Sequence, residues 1–425
     1  MALFVTKHRV GPARLCVFGL AGLFIGLTVG YIFMASSQAV MEVGAENHWI
    51  EENGNAVTLK TADTKKKATA GDGKVDWGNP DSVQAIKGSK EWPTKGDTIH
   101  VILTSNGSPY QNIQTRIMYA TYKIARKMPG GEKMVALTRV LHRTAEDALM
   151  KEVPTFRAEP HDPKCDIWCE FPVADRPGAV RQFLEAAART PSLIKAPWLL
   201  LIESDYVWKK PVVAPMADSS AKAQAFPFSY IPPAHSNVAA AMRAMYPEEK
   251  GPLTAIMNSG PAPVLLRVDE LRKITPEWER LTYFIESTPT IKQTLGWIRE
   301  MYAFSIAAAL QNVPFDLPVP GENQLIVQPP EDKRIGNAAM YHYTWGLFFL
   351  EKNGTKVFTF EKRFYIKQED VYKVPHMSIP PPFKKGWSLL EGNEVTKDMY
   401  ETIKDMIITM NAGIDTLDVL PPFPS

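Results

Sequence analysis

Trp198-Leu199-Leu200-Leu201-Ile202-Glu203-Ser204-Asp205 is the stretch on which the reading of this chain turns. Five apolar residues in unbroken succession fit a strand buried on both faces of a parallel sheet, where alternation is lost because neither face meets water. The acids follow at the strand's C-terminal end, the edge at which open α/β sheets hold their ligands. Two carboxylates at alternate positions can hold a divalent cation, which neutralises the diphosphate of a nucleotide sugar as it leaves. Acid-x-acid triplets are common on solvated loops, so position carries more weight than composition. A further ligand is wanted, and His342 in Tyr341-His342-Tyr343-Thr344-Trp345-Gly346 is the candidate: a histidine among aromatics, ahead of a glycine turn. The competing reading is a core histidine bonded to backbone. Of the eight histidines, His8 and His48 precede the expected catalytic domain, His161 and His376 lie in Pro-rich loops, and His100 and His142 fall inside expected strands.

Outward from this strand the pattern alternates. Upstream, Ile99-His100-Val101-Ile102-Leu103-Thr104 opens as a second near-continuous apolar run after Gly96-Asp97. A helix is expected over 112–128, a strand over 134–142 and a helix over 177–189. Downstream come a short Ala225-Phe226-Pro227-Phe228 segment, a helix over 234–245 and a strand over 264–266. A long helix over 291–310 is expected from the stripe Leu295, Ile298, Tyr302 and Ile306. A last amphipathic helix, 395–410, carries Met399, Ile403, Met406 and Met410 in register and is expected to pack on the body. The order predicts an open, mostly parallel α/β sheet with flanking helices. Thirty-five prolines, many in pairs such as Pro232-Pro233 and Pro329-Pro330, imply a loop-rich body.

The 425 residues suffice for one enzyme-sized domain with appendages. Their 48 basic and 46 acidic residues leave a formal charge of +2, which gives no sign of a nucleic acid partner. Residues 15–35 (LCVFGLAGLFIGLTVGYIFMA) contain no charge, and a helix of that length at about 1.5 Å per residue crosses a hydrocarbon core of roughly 30 Å. Lys7, Arg9 and Arg14 precede it and Glu42 and Glu46 follow, which predicts a single-pass type II protein with its body in the lumen. A cleaved signal peptide is the alternative, since Ser37-Gln38-Ala39 offers small residues, although the apolar run is long for one. The expected organisation is a cytosolic tail over 1–14, the anchor over 15–35, a flexible luminal stem over 36–95, a catalytic domain over 96–375 and a C-terminal extension over 376–425. Beside Cys16 in the apolar run, the cysteines are Cys165 and Cys169. Their spacing admits a small-loop disulfide in an oxidising compartment or two thiols on one helical turn, and a zinc site lacks its second pair. Asn353-Gly354-Thr355 is a glycosylation sequon with Asn353 as acceptor.

No GxSxG elbow, HExxH helix or P-loop occurs, so hydrolase and nucleotide-kinase chemistry lack their central motifs. A collinear set of segments remains: Ser108-Pro109-Tyr110, Arg116-Ile117-Met118-Tyr119, Val153-Pro154-Thr155-Phe156, Asp175-Arg176-Pro177, the Glu203-Ser204-Asp205 segment, Phe226-Pro227-Phe228 and Tyr246-Pro247-Glu248-Glu249. It continues through Gly296-Trp297-Ile298-Arg299-Glu300-Met301-Tyr302-Ala303, Gln328-Pro329-Pro330 and the His342 motif. From residue 99 to about 382 this order resembles the plant and algal hydroxyproline O-arabinosyltransferases and the related peptidyl-serine α-galactosyltransferases.

The resemblance implies a GT-A-like, Rossmann-related fold and a retaining transfer from a UDP-sugar, L-arabinofuranose foremost, to hydroxyproline in secreted proline-rich glycoproteins. UDP-galactose and serine are the alternative pair. It also implies a Golgi or ER membrane protein whose metal, a manganese-like divalent cation, is held by Glu203, Asp205 and His342, with Asp205 the main ligand. Thr104, Tyr110 and Arg116, with Ser204 beside the acids, are expected to line the donor pocket. Arg176 is expected either to contact phosphate or merely to begin a helix. Glu300 is a candidate for binding the acceptor hydroxyl or stabilising positive charge on the sugar, against a salt bridge with Arg299 or Lys292. Many plant arabinosyltransferases read E-P-D-H where this chain has Glu203-Ser204-Asp205-Tyr206, and G-N-S-P near Asn258-Ser259-Gly260-Pro261. A reading from another class is a sugar- or peptide-binding protein that keeps the fold without turnover.

Overall fold

The computed structural model describes residues 76–423. The expected anchor, 15–35, and most of the stem lie outside these residues, and among the described residues no helix is long and apolar enough to cross a membrane.

Seven strands form the central sheet: β1 (Ile99–Ser105), β2 (Met134–His142), β3 (Thr155–Ala158), β4 (Trp198–Ile202) and, after a short β5 (Tyr206–Trp208) that belongs elsewhere, β6 (Ala223–Ala225), β7 (Val264–Arg267) and β8 (Phe315–Asp316). They lie in the order β3-β2-β1-β4-β7-β6-β8. The first four run parallel, and β7 lies antiparallel to both β4 and β6. Every residue of β1 and of β4 is buried, as unbroken apolar runs require. Because β1 has β2 on one side and β4 on the other, the strand order reverses there, and a crevice opens beyond the carboxyl ends of β1 and β4.

The helices are α1 (Pro109–Ala125), α2 (Arg176–Arg189), α3 (Ser236–Met245), α4 (Val268–Ser287), α5 (Pro289–Leu295), α6 (Arg299–Leu310), α7 (Gln368–Tyr372) and α8 (Lys397–Ile414). α1 begins ahead of the expected 112 because Ser108 caps it, accepting from the Gln111 amide at 3.3 Å, with Pro109 in the first turn. Beyond the main sheet, β9 (Ile326–Val327) and β10 (Met340–His342) join β5 in the order β5-β10-β9, and β11 (Leu347–Leu350) pairs with β12 (Lys356–Phe360) as a hairpin. α8 packs on α1, where the Cα of Gly413 comes so near Thr121 that a side chain would not fit.

Two expectations are corrected, and one element adds to them. The helix expected over 291–310 is two, because Gly296 takes φ 60° between them and turns the chain through a short 3-10 segment, Gly296–Ile298. α4 went unforeseen: Pro276 lies inside it, but Leu271, Ile274, Trp278, Leu281 and Ile285 form a buried stripe that packs on α2 and α6. Residues 76–95 fall within the expected stem, yet Ile86 and Trp92 are buried in the core, and the Trp92 indole donates to the Ala187 carbonyl at 3.1 Å.

Candidate active site

The crevice is built first by backbone register. In β4 and β1, Ile202 pairs with Leu103, which sets Thr104 level with Glu203 at the strand ends. The chain turns directly into β5, and antiparallel pairing of Tyr206 with His342 of β10 brings the imidazole back over the acids. His342 Nε2 stands 3.3 Å from Asp205 Oδ2 and 3.8 Å from Glu203 Oε2. One ligand atom from each of the three residues lies within 4.8 Å of the others. Two carboxylates and an imidazole are a donor set suited to a divalent cation of the manganese kind. The Thr344 hydroxyl lies 3.0 Å from Gln328 Oε1 and almost equidistant from the two His342 ring nitrogens, 3.0 Å from Nδ1 and 3.1 Å from Nε2. Thr344 thereby ties the imidazole to Gln328 beside the acids. The Tyr206 ring packs edge-on against the imidazole, with centroids 4.7 Å apart.

Two cations complete the cluster. Lys362, in the turn after β12, places Nζ 2.5 Å from Asp205 Oδ2, and Arg176 at the start of α2 bonds to Glu203 Oε1 through Nη2 and reaches Glu300 Oε2 at 3.3 Å through Nη1. Burial works against the Asp205 carboxylate, but the charges of Lys362 and His342 outweigh it and hold the group well below the usual range. Burial likewise opposes the Lys362 ammonium, and Asp205 reverses the effect and raises it. Glu300 is 2% exposed, and its Oε1 has no hydrogen-bond partner. Burial, helped by the negative charge of Glu203 and resisted by Arg176, pushes its carboxyl up to about 7. The Trp278 indole faces it and favours the carboxylate, although no hydrogen bond of ordinary geometry joins them. An orphaned, buried carboxylate oxygen beside the site is a costly feature for a group with only a structural task.

The other expected residues divide. Glu300 pairs with neither Arg299 nor Lys292, both of which bind Glu286. Arg176 begins α2 and also braces Glu203 and Glu300; Asp175 makes no side-chain cap and instead accepts from the His161 amide at 2.9 Å. Ser204 is buried, its hydroxyl donating to Gln114 Oε1 at 2.9 Å, so it fixes the strand end to α1. Tyr110 stands within electrostatic reach of Lys362 and Arg363, at the crevice. Arg116 does not line it. Its guanidinium is fully buried elsewhere, bonded to Glu152 at 2.7 Å, to the carbonyls of Val371 and Tyr372 at 2.7 and 3.0 Å and to that of Asp418 at 2.5 Å. Cys165 and Cys169 are joined as a disulfide. Asn353 sits exposed in the β11–β12 turn. Lys362 was not foreseen, since Phe360-Glu361-Lys362-Arg363-Phe364 reads as an ordinary charged turn.

Residues 99–317 match the family described as "Hydroxyproline O-arabinosyltransferase family N-terminal domain". Hydroxyproline O-arabinosyltransferase NOD3 of Pisum sativum is 32% identical over 302 residues, covering 70% of this chain and 85% of the relative. Hydroxyproline O-arabinosyltransferase 3 of Arabidopsis thaliana is 34% identical over 289 residues, covering 67% of this chain and 75% of the relative. Among solved structures, apo mouse xyloside xylosyltransferase 1 aligns over 61% of this chain and 98% of its own at 14% identity and a TM-score of 0.30, so the fold class rests on the sheet itself. The extent and identity of these sequence matches place the chain in the hydroxyproline O-arabinosyltransferase family of enzymes.

Proposed function

We propose that this enzyme transfers L-arabinofuranose from a UDP-linked donor to the hydroxyl of hydroxyproline in secreted proline-rich polypeptides, with retention of configuration. We place it as a single-pass type II protein of the Golgi or ER, a reading supported by the uncharged run 15–35 and its flanking charges. The observation that carries the chemistry is the meeting of Glu203, Asp205 and His342 at the reversal point of the sheet.

These three residues would hold the divalent cation. When bound, the cation supplies Lewis-acid neutralisation of the donor diphosphate. Lys362, buried beside them, offers a second positive charge to the leaving phosphate oxygens and is already anchored by Asp205. Thr104 and Tyr110 edge the crevice on the β1 side. Glu300 takes the acceptor hydroxyl as hydrogen-bond donor, with Arg176 holding its carboxylate toward Glu203. In the transfer, the bond from the anomeric carbon to the phosphate oxygen breaks as the bond to the hydroxyproline oxygen forms on the same face. As the phosphate oxygen departs, the hydroxyl turns its one proton from Glu300 to that oxygen, which takes it, and Glu300 ends in the state in which it began.

The test incubates the full-length chain with manganese, a UDP-sugar panel and peptides bearing hydroxyproline or serine, and reads peptide mass. A pentose increment on hydroxyproline, abolished by Asp205→Ala, is the expected result. A hexose on serine would move the assignment to the galactosyl reaction, to which the Tyr206 departure from the E-P-D-H pattern is open. No product with any donor from folded protein would favour a binding protein without turnover.

A further inference from the structure

Two chain segments run from the surface into the site, and they are joined at both ends. One is Phe171-Pro172-Val173-Ala174-Asp175-Arg176, and the other is Trp297-Ile298-Arg299-Glu300. Their inner ends meet through Arg176 and Glu300, 3.3 Å apart. Their outer ends meet through the rings of Phe171 and Trp297, edge to face with centroids 5.1 Å apart. Trp297 is thus held three residues from Glu300, a backbone distance of roughly 5 Å along 3-10 and α turns that rise about 1.5–2 Å per residue.

The outer end is apolar and exposed. Trp297 is 54% exposed, and the disulfide-closed loop just ahead of Phe171 carries Ile167 at 92% and Trp168 at 57%. Several neighbouring charges are paired: Lys292 bonds Glu170 at 2.8 Å and Glu286 at 3.2 Å, and Arg299 pairs with Glu286 while its guanidinium lies 3.5 Å from the centre of the Phe171 ring. What the outer end presents is chiefly large rings and an aliphatic side chain. They suit a neutral, stiff chain that presents ring faces and methylenes.

We infer that Trp297, with Ile167 and Trp168, is the docking platform for the proline-rich polypeptide flanking the acceptor residue. The inference rests on the acceptor class proposed above and adds where that polypeptide lies. Proline-rich segments in the polyproline II form dock on aromatic surfaces, preformed and so at low entropic cost, and advance about 3.1 Å per residue. The distance from Glu300 to Trp297 therefore corresponds to about two acceptor residues between the reacting hydroxyl and the ring it packs against.

The experiment measures KM and kcat of the full-length enzyme for two acceptors: a peptide with prolines on both sides of one hydroxyproline, and N-acetyl-hydroxyproline amide, which cannot reach the platform. The expected result is a lower KM for the peptide, an advantage that Trp297→Ala removes by raising the peptide KM about tenfold, the equivalent of 1.4 kcal/mol. Trp297→Phe, which keeps a ring, restores most of it, and the double variant Ile167→Ser/Trp168→Ser weakens it in the same direction. An unchanged ratio of the two KM values in both Trp297→Ala and the double variant overturns the platform while leaving the hydroxyproline reading intact. Wild-type enzyme that modifies neither acceptor overturns the hydroxyproline reading itself, and the platform with it.

Discussion

Glu300 and Lys362 divide the work of the site between a carboxylate kept near neutrality and an ammonium kept charged. If Glu300 accepts the hydroxyl as a carboxylate, kcat/KM rises with pH through about 7, where burial has placed its titration, and flattens above. Glu300→Gln keeps the shape and loses the charge. Turnover is expected to drop by about 100-fold and the acid limb to disappear from the pH profile; an unaltered limb assigns it to another group. Lys362 competes with any cation for Asp205 Oδ2, since it sits 2.5 Å from that oxygen. Lys362→Met is therefore expected to tighten manganese binding in the absence of donor, by about tenfold in calorimetry, while lowering turnover. Weaker manganese binding in that variant would mean that Lys362 supports the acids instead of competing for them.

Elements buried on both faces could be read from the sequence, whereas elements that depend on tertiary packing could not. β4 has the bounds expected of it because an unbroken apolar run has one stable place, between two layers of helix, and β2 has its expected bounds although Thr138 and Arg139 interrupt its apolar residues and Val135 is exposed. The acids at the end of β4 and His342 were legible for a related reason: each sits where a strand stops, and strand ends define the crevice. α4 was not legible because Pro276 argues locally against a helix that packing on α2 and α6 supports. Arg116 misled because a basic residue near the crevice in sequence faces away from it in three dimensions, toward Glu152 and three backbone carbonyls. Gly296 was read through as part of one helix, although its φ of 60° and ψ of −141° suit glycine almost alone. Gly296→Ala is expected to cost about 1–3 kcal/mol in urea unfolding. It should also reduce transfer, because the turn it strains leads into Glu300; unchanged stability would show that the turn relaxes to an ordinary conformation.

The C-terminal extension is part of the folded body, not an appendage to it, with α8 on α1 and Arg116 fastening the carbonyls of Tyr372 and Asp418 to the same helix. One buried unit of this kind gathers its ionisable groups into a single pH dependence, and their signs oppose. Burial lowers His100 and His142 to about 3, with the charges of Lys195 and Arg176 adding to it. Both histidines are depressed in the folded state, so their contribution is complete above 6.5 and is lost as pH falls toward 3, when the unfolded chain takes up protons first. At pH 5 that loss is about 2 kcal/mol for each, or about 4 together. Glu300 and Asp175 are raised by burial, to about 7 and about 6. Their contribution is complete below the unfolded carboxyl range and is lost as pH rises through those values, so acidification to pH 5 restores about 2.5 and about 1.5 kcal/mol. Asp205, held low, begins to matter only below about pH 4. The opposing sums nearly cancel, and wild-type stability measured by urea unfolding without added metal should change by no more than about 1 kcal/mol between pH 7.5 and 5. Glu300→Gln removes one carboxyl from the balance. That variant should be the more stable of the two at pH 7.5, where the buried carboxylate is a burden, and should lose about 2.5 kcal/mol on going to pH 5 while wild type stays level. Parallel pH curves for the two proteins would mean that Glu300 titrates in the folded enzyme as an ordinary carboxyl, and the hydroxyl-binding role argued from its burial would fall with that result.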